Sequence, residues 1–183
     1  MRLQKLSING AVLIEAEPFS DQRGIFARFF CADELKEVLG DRQIVNVNYS
    51  RTAMKGAVRG MHFQYPPKAE MKFVRCIRGS VYDVIVDIRK GSPTFLQWFG
   101  AVLSEENMQM FCVPEGFAHG FQALEDGVEM LYLHTEFYSP ELEGGLLYND
   151  PVLGIKWPLL PTDVSKRDNH HGTIKKTFIG VAI

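Results

Sequence analysis

The chain has little of several features that mark specialised classes of protein. Only three of its 183 residues are cysteine, and these lie far apart at Cys31, Cys76 and Cys112. An odd number of scattered cysteines in apolar surroundings is typical of reduced core thiols, not of a disulfide framework. No stretch approaches the roughly 18 apolar residues of a membrane span, and residues 1–6 lack the apolar core of a signal peptide. We therefore expect a cytoplasmic protein without a membrane partner.

The chain also lacks a strong charge of either sign. Its 20 basic and 22 acidic residues give a net charge of −2, and the two kinds are interleaved. No basic stripe indicates a nucleic-acid partner, so a small soluble ligand is favoured. With 46% hydrophobic residues, no internal repeat and no linker, residues 1–183 are expected to form a single domain.

Glycine and proline occur at short intervals between runs rich in Val, Ile, Phe and Tyr, a rhythm that predicts an all-β sandwich or barrel. The one good helical segment is Ala32–Leu39, with Leu35, Val38 and Leu39 on one face and Gly40 as its stop. After Pro140 the chain is irregular, and this tail is expected to wrap the barrel.

Three hairpins are predicted from strand-like runs separated by turn residues. They are Lys72–Asp87 turning at Gly79, Thr94–Leu103 with Met108–Val113, and Gly120–Leu124 with Val128–Tyr138. Since side chains alternate along a strand, the run after Gly79 should place Val81, Asp83, Ile85 and Asp87 on one face and Tyr82, Val84 and Val86 on the other.

Two glycine-flanked motifs each contain a histidine: Arg59–Gln64, which carries His62, and Pro114–Gly120, which carries His119. The pattern suggests two strands of one barrel that deliver imidazoles to a shared cavity. The second motif has the Pro-x-Gly-x-x-His spacing of the second cupin motif. We therefore expect a cupin-type jelly-roll barrel.

The first motif departs from the metal-binding pattern of cupins, which is usually His-x-His followed by Glu. Here the sequence is His62-Phe63-Gln64, with Glu70 further on, and glutamine is a poor ligand for a transition metal. A metal site and a cofactor are therefore not expected. Proton chemistry is favoured instead, because a histidine oriented by a carboxylate is a good base near neutral pH, and Asp168 in the tail can supply the carboxylate.

Several motifs in one order match a known family. They are Phe19-x-Asp21-x-Arg23-Gly24-x-Phe26, Arg59-Gly60-x-His62-Phe63-Gln64-x-Pro66-Pro67, Lys72, Val86-Asp87-Ile88-Arg89-x-Gly91-Ser92-Pro93-Thr94-Phe95, Asn149-Asp150-Pro151 and Ile155-x-Trp157-Pro158. From about residue 10 to about residue 168 the chain resembles the dTDP-4-dehydrorhamnose 3,5-epimerases.

The resemblance implies a metal-free epimerisation at C3, C5 or both of a nucleoside-diphosphate 4-keto-6-deoxyhexose. His62 would be the base and Asp168 its partner, Tyr132 the acid, and Lys72 the cation that stabilises the enolate. The remaining implied substrate residues are Phe19, Arg23, Phe26, Arg28, Asn46, Asn48, Arg59, Gln64, Asp83, His119, Tyr138 and Glu143. The resemblance also implies a homodimer in which Arg23, Phe26 and residue 28 reach the neighbouring subunit's pocket.

Four positions depart from what is common in the family: Arg28 replaces glutamate, Asn46 glutamine, Tyr49 histidine and Tyr148 tryptophan. Arginine only donates hydrogen bonds, so it cannot accept one from a thymine N–H. This suggests relaxed or altered base recognition. Two other functions stay open, a metal-dependent cupin using His62, Glu70 and His119, and a non-catalytic binding barrel. His134, His170 and His171 are expected at the surface.

Overall fold

The computed structural model describes residues 1–183 and confirms an all-β protein with two antiparallel sheets. The strands are β1 (Arg2–Lys5), β2 (Val12–Glu15), β3 (Phe19–Asp21), β4 (Gly24–Phe26), β5 (Asn46–Thr52), β6 (Val58–Gln64), β7 (Lys72–Arg78), β8 (Ser80–Asp87), β9 (Trp98–Ser104), β10 (Gln109–Val113), β11 (Phe117–Ala123), β12 (Val128–His134) and β13 (Glu143–Gly145). The helices are α1 (Lys36–Leu39), α2 (Lys166–Asn169) and a 3₁₀ turn at Pro140–Leu142.

The six-stranded sheet has the order β1-β2-β10-β7-β12-β5, and the five-stranded sheet has the order β13-β6-β11-β8-β9. All three predicted hairpins are therefore wrong. In each, the turn lies where it was expected, but β7 and β8, β9 and β10, and β11 and β12 belong to opposite sheets. Neighbouring strands usually pair, but in a jelly roll the chain crosses from one sheet to the other at these turns. Gly79 still adopts the predicted left-handed backbone, with φ of 72°.

Three apolar layers hold the sheets together. The largest lies between them and joins Val74 and Phe111 of one sheet to Val81 and Ile85 of the other. The opposite face of β8, with Val84 and Val86, is covered by tail residues. The alternation predicted for β8 is thus confirmed, because each face is buried against a different layer.

The third layer covers the outer face of the six-stranded sheet with α1. Leu35 and Leu39 are buried there as the helical face predicted, and Gly40 ends the helix with φ of 60°. The helix itself is shorter than predicted: residues 32–35 form turns, in which Leu35 N–H donates to the Cys31 carbonyl. All three cysteines are free; Cys76 and Cys112 are buried, and Cys31 is half-buried.

The tail after Pro140 wraps the five-stranded sheet as expected. It joins the barrel through isolated bridges from Val58 to Val164 and from Arg89 to Val181. The tail also contains the short helix α2, which the sequence pattern did not predict. No helix of the protein is both long and apolar enough to cross a membrane.

Candidate active site

One cavity of about 280 Å³ is lined by residues of both sheets. Nine of the predicted site residues line it: Asn48, Arg59, His62, Gln64, Lys72, His119, Tyr132, Tyr138 and Glu143. The lining also contains residues that the sequence did not single out as substrate contacts, namely Tyr49, Ser50, Phe63, Glu70, Phe121, His134 and Arg167.

The two histidine motifs meet because their strands pair. His62 on β6 and His119 on β11 are direct partners in the antiparallel register. The strands approach unusually closely at the flanking glycines: a Cβ on Gly60 would lie 2.5 Å from the Gly120 Cα, and Gly60 has φ of +128°. Glycine is required there for both reasons, and the glycine-flanked pattern therefore reflects the packing that brings the imidazoles together.

His62 is held by Asp168, which the tail brings back to the barrel. His62 Nε2 lies 2.8 Å from Asp168 Oδ1, and the Gly60 N–H donates to Oδ2 at 3.2 Å. Ser165 caps α2 by accepting the Asp168 N–H at 3.0 Å, which fixes the backbone of this residue. Burial opposes ionisation of Asp168, but hydrogen bonds from His62 and Gly60 outweigh it and hold the pKa of Asp168 well below its usual range.

An ionised Asp168 fixes the tautomer of His62. A carboxylate only accepts hydrogen bonds, so Nε2 carries the hydrogen and Nδ1 keeps a free lone pair. Nδ1 has no hydrogen-bond partner in the protein. Arg167 Nη2 lies 2.9 Å from the same Nε2, but a guanidinium also only donates. We assign the hydrogen bond to Asp168 because its charge favours an N–H donor, and the Arg167 contact is then a polar contact only.

Tyr132 faces the cavity from β12, opposite His62. Its hydroxyl is 3.0 Å from the Ser50 hydroxyl, and its ring packs edge-on to His119 at 6.4 Å. Burial raises the pKa of Tyr132 to about 12. The side chain therefore keeps its proton at neutral pH and suits an acid that donates to a strongly basic carbon.

Lys72 is buried in an ion-pair chain with two neighbours. Glu70 Oε1 is 2.9 Å from Lys72 Nζ, and Glu70 Oε2 is 2.7 Å from His134 Nδ1. Burial alone would raise the pKa of Glu70, but Lys72 and His134 outweigh it and lower the pKa to about 2. The expected surface position of His134 is therefore wrong. The position of His134 in the cavity wall could have been predicted from strand alternation, because residues 132 and 134 share one face of β12.

His119 is anchored from behind by Asp83, which does not itself line the cavity. The two Asp83 oxygens lie 2.9 and 3.0 Å from His119 Nε2. Asp83 is fully buried, and burial raises its pKa despite the opposing effect of His119. Asp83 thus orients His119 without being exposed to a ligand.

The donors around the cavity do not fit a cupin metal centre. Gln64, at the usual second histidine position, accepts the Ser139 N–H at 2.8 Å and donates to the Lys68 carbonyl at 3.0 Å. Glu70 already contacts Lys72 and His134 through its two oxygens. The set lacks three free ligands that converge on one point, so it does not suit a catalytic metal.

The predicted N-terminal contacts lie outside this chain's cavity. Strands β3 and β4 form a separate two-stranded arm on which Phe19 and Phe26 are 69% and 73% exposed. Arg23 pairs with Asp21 on this arm at 2.6 Å. Arg28 pairs with Glu34 at 2.5 Å.

Asn46 does not line the cavity either. Its side-chain amide donates to the Glu136 carbonyl at 3.4 Å. Within one chain, therefore, Asn46 and the N-terminal residues are not brought to the site.

Of the three histidines expected at the surface, only His170 is exposed. His171 turns inward and packs edge-on to His62, with the rings 6.4 Å apart at 69°. His171 follows a four-residue helix in an irregular tail, so no strand alternation or sequence motif indicates which way its side chain points. The sequence carried no signal for this position.

The barrel, the His62–Asp168 pair and the buried tyrosine and lysine around one cavity define a cupin-type enzyme whose chemistry is proton transfer. Comparisons with known proteins give the family. Residues 5–176 match the family described as dTDP-4-dehydrorhamnose 3,5-epimerase. The protein of that name from Salmonella typhimurium is 44% identical over 155 residues, which cover 84% of each chain.

Solved structures agree with this match. The dTDP-4-dehydrorhamnose 3,5-epimerase of Bacillus anthracis, with TDP and PPi bound, superposes with a TM-score of 0.91 at 38% identity and covers 94% of this chain and 99% of its own. The Legionella pneumophila RmlC in complex with dTDP-4-keto-L-rhamnose gives 0.91 at 37% identity, covering 100% and 98%. The chain belongs to the dTDP-4-dehydrorhamnose 3,5-epimerase family and is an isomerase.

Proposed function

We propose that this chain epimerises a nucleoside-diphosphate 4-keto-6-deoxyhexose at C3, C5 or both. The family default is inversion at both carbons, which converts dTDP-4-dehydro-6-deoxyglucose to dTDP-4-dehydrorhamnose. The observation that carries the proposal is that a carboxylate-oriented histidine and a proton-holding tyrosine line one cavity together with a buried lysine. The names of the relatives, and the sugar nucleotide bound to the Legionella protein, support the same substrate class.

In the first step a ketone at C4 acidifies the neighbouring C–H bonds, and His62 removes the proton. The free lone pair on Nδ1 accepts it, and the resulting imidazolium is stabilised by the ionised Asp168 2.8 Å from Nε2. The electron pair of the broken C–H bond moves onto the C4 oxygen as an enolate. Lys72 is the nearby cation that stabilises this developing charge, and such stabilisation is usually a large part of catalysis.

In the second step the enolate collapses and the carbon takes a proton from Tyr132 on the opposite face. The configuration at that carbon is thereby inverted. Because burial raises the pKa of Tyr132 to about 12, the tyrosinate left behind regains a proton readily from solvent. His62 loses its proton to solvent, which resets both groups for a further turnover.

Binding of the nucleotide end is proposed to need a second copy of the chain. Arg59 lines the cavity and offers the paired donors that suit a diphosphate. The β3–β4 arm, with Phe19, Arg23 and Phe26 exposed on it, would reach the neighbouring subunit's cavity in a homodimer. Sedimentation equilibrium of the wild type and of Phe26→Asp should show a dimer that this change weakens; a monomeric, active wild type would contradict the arrangement.

The central experiment is NMR of purified protein with dTDP-4-keto-6-deoxyglucose in deuterated water. Deuterium should enter C3, C5 or both, and the product couplings report the configuration at each carbon. His62→Asn should abolish exchange while circular dichroism remains that of the wild type. Absence of exchange at both carbons with folded wild-type protein would exclude the proposed reaction.

Arg28 is proposed to alter recognition of the base. It stands where the family commonly has glutamate, and its guanidinium can only donate. Affinities for dTDP, CDP and GDP should therefore show no marked preference for dTDP, and Arg28→Glu should restore one. A strong preference of the wild type for dTDP would refute this proposal and leave the epimerase assignment intact.

A further inference from the structure

His171 packs against the backbone of Gly145, next to the His62–Asp168 pair. A Cβ on Gly145 would lie 2.1 Å from His171 Nε2 and 2.3 Å from Cε1. The imidazole therefore rests directly on the glycine backbone of β13. Gly145 is in turn the register partner of His62 on β6. The missing side chain at residue 145 is what allows a third ring beside the catalytic pair.

His171 also has a buried nitrogen without a partner of its own. Its Nε2 is buried and makes no hydrogen bond. Nitrogens of His62 and His171 and a carboxylate oxygen of Asp168 all lie within 4.8 Å of one another. A buried polar atom without a hydrogen-bond partner costs free energy. The His171 imidazole therefore lowers the stability of the fold relative to an apolar ring of the same size.

The charges around His171 come from three elements. His62 faces it from β6, Arg167 and Asp168 from α2, and Glu143 from β13. Burial is the main cause that lowers the pKa of His171, followed by His62; Arg167 acts in the same direction, and Asp168 and Glu143 oppose them. The ring is therefore neutral near neutral pH. The guanidinium of Arg167, 3.3 Å from Asp168, makes the same cluster unsuited to a metal cation.

We propose that His171 is a positioning residue for His62. Its neutral ring shields the His62–Asp168 hydrogen bond from water on the side covered by the C-terminal tail, and protonation of this ring breaks that hydrogen bond. A cation at residue 171 would compete with His62 for the Asp168 carboxylate and would repel the imidazolium formed during catalysis. This inference rests on the proposed function for its kinetic consequence, but its structural part can be measured without substrate.

The first test is ¹⁵N-edited NMR of the histidine rings in the substrate-free protein. The Hε2 proton of His62 should exchange slowly with water in the wild type and in His171→Phe, which keeps a ring of similar size. His171→Ala should speed this exchange by about tenfold, the effect of weakening one hydrogen bond. Gly145→Ala, which displaces the ring from the other side, should do the same. His170→Ala, a change at the adjacent exposed histidine, is the matched control.

The second test is the pH profile of kcat/KM. The acidic limb should be steeper for the wild type than for His171→Phe, because protonation of residue 171 stops the reaction in the wild type and cannot occur in the variant. His171→Ala should lower kcat with little change in KM. Unchanged Hε2 exchange in both His171→Ala and Gly145→Ala, or an equally steep limb in His171→Phe, would overturn the inference. An inactive wild type with the expected NMR behaviour would instead reject the proposed reaction.

Discussion

The substitution Asp168→Asn tests how much the carboxylate contributes to proton abstraction. Asparagine has nearly the same shape, so its side-chain oxygen can still accept the Gly60 N–H, and the Ser165 cap uses only the backbone of residue 168. The amide NH2 then stands in place of Oδ1 beside His62 Nε2, where it donates and favours the His62 tautomer with its hydrogen on Nδ1. The change therefore removes both the charge and the free lone pair on Nδ1, and it leaves the local fold in place. We expect a lower kcat with little change in KM, because both effects act on proton abstraction.

The magnitude follows from the geometry. Asp168 Oδ1 is 2.8 Å from His62 Nε2, and the carboxylate is only 3% exposed. Opposite charges centred about 4 Å apart attract by about 4 kcal/mol at an effective dielectric constant of about 20. Part of this attraction already acts on the neutral ring through its hydrogen bond. Loss of the charge alone, about 2–4 kcal/mol, corresponds to a kcat lower by about 30- to 1000-fold, and the change of tautomer lowers kcat further.

Initial rates of solvent deuterium incorporation at pH 8 would measure this loss for wild type and variant side by side. Asp163→Asn is the matched control, because Asp163 is an exposed carboxylate of the same tail and does not contact His62. A kcat of Asp168→Asn within threefold of the wild type would show that the pair is structural and that another group activates the base.

Three further predictions concern other parts of the site. Glu70 has a pKa of about 2 in the folded protein against 4.5 for the free side chain, so its ionised form stabilises the fold above pH 4.5, and about 3 kcal/mol of that stability is lost as the pH falls to 2; urea unfolding at about pH 7 and 3 should show a smaller difference in unfolding free energy for Glu70→Gln than for Glu106→Gln, a change at an exposed and unpaired glutamate. Tyr132→Phe should slow epimerisation by about 10²- to 10⁴-fold in the NMR assay, the usual contribution of a general acid, and near-normal turnover would exclude it as the acid. Gly60→Ala should destabilise the protein by about 3 kcal/mol or more because of backbone overlap, whereas Gly91→Ala, also at positive φ but with open space, should cost only about 1–2 kcal/mol; equal thermal melting points would contradict the close strand approach.

The meeting of His62 and His119 at one cavity could be predicted from the sequence because both residues are tied to short patterns. His62 and His119 stand in glycine-flanked motifs, and those glycines are required by the strand contact itself. The alternation in β8 was also readable, because each face of that strand meets a separate apolar layer. Local pattern and tertiary structure agree at these positions, so the prediction succeeds there.

Strand pairing and the environment of the tail could not be predicted in the same way. Turn residues at Gly79 show that the chain reverses, but they do not show whether the next strand joins the same sheet or crosses to the opposite one. His171 and Arg167 reach the site only because the irregular tail folds back over β6. Their contacts depend on long-range packing of an aperiodic segment, which no local pattern encodes.

Asp168, the proposed partner of His62, lies 106 residues further along the chain, in a segment that is synthesised after the strands of both sheets. A ribosome-bound or C-terminally clipped chain could assemble both sheets and still have no carboxylate behind the imidazole. Under the proposed mechanism, turnover requires that the segment around Asp168 has docked against β6. Cleavage that removes Asp168 would then abolish activity while leaving the strands of both sheets in the chain.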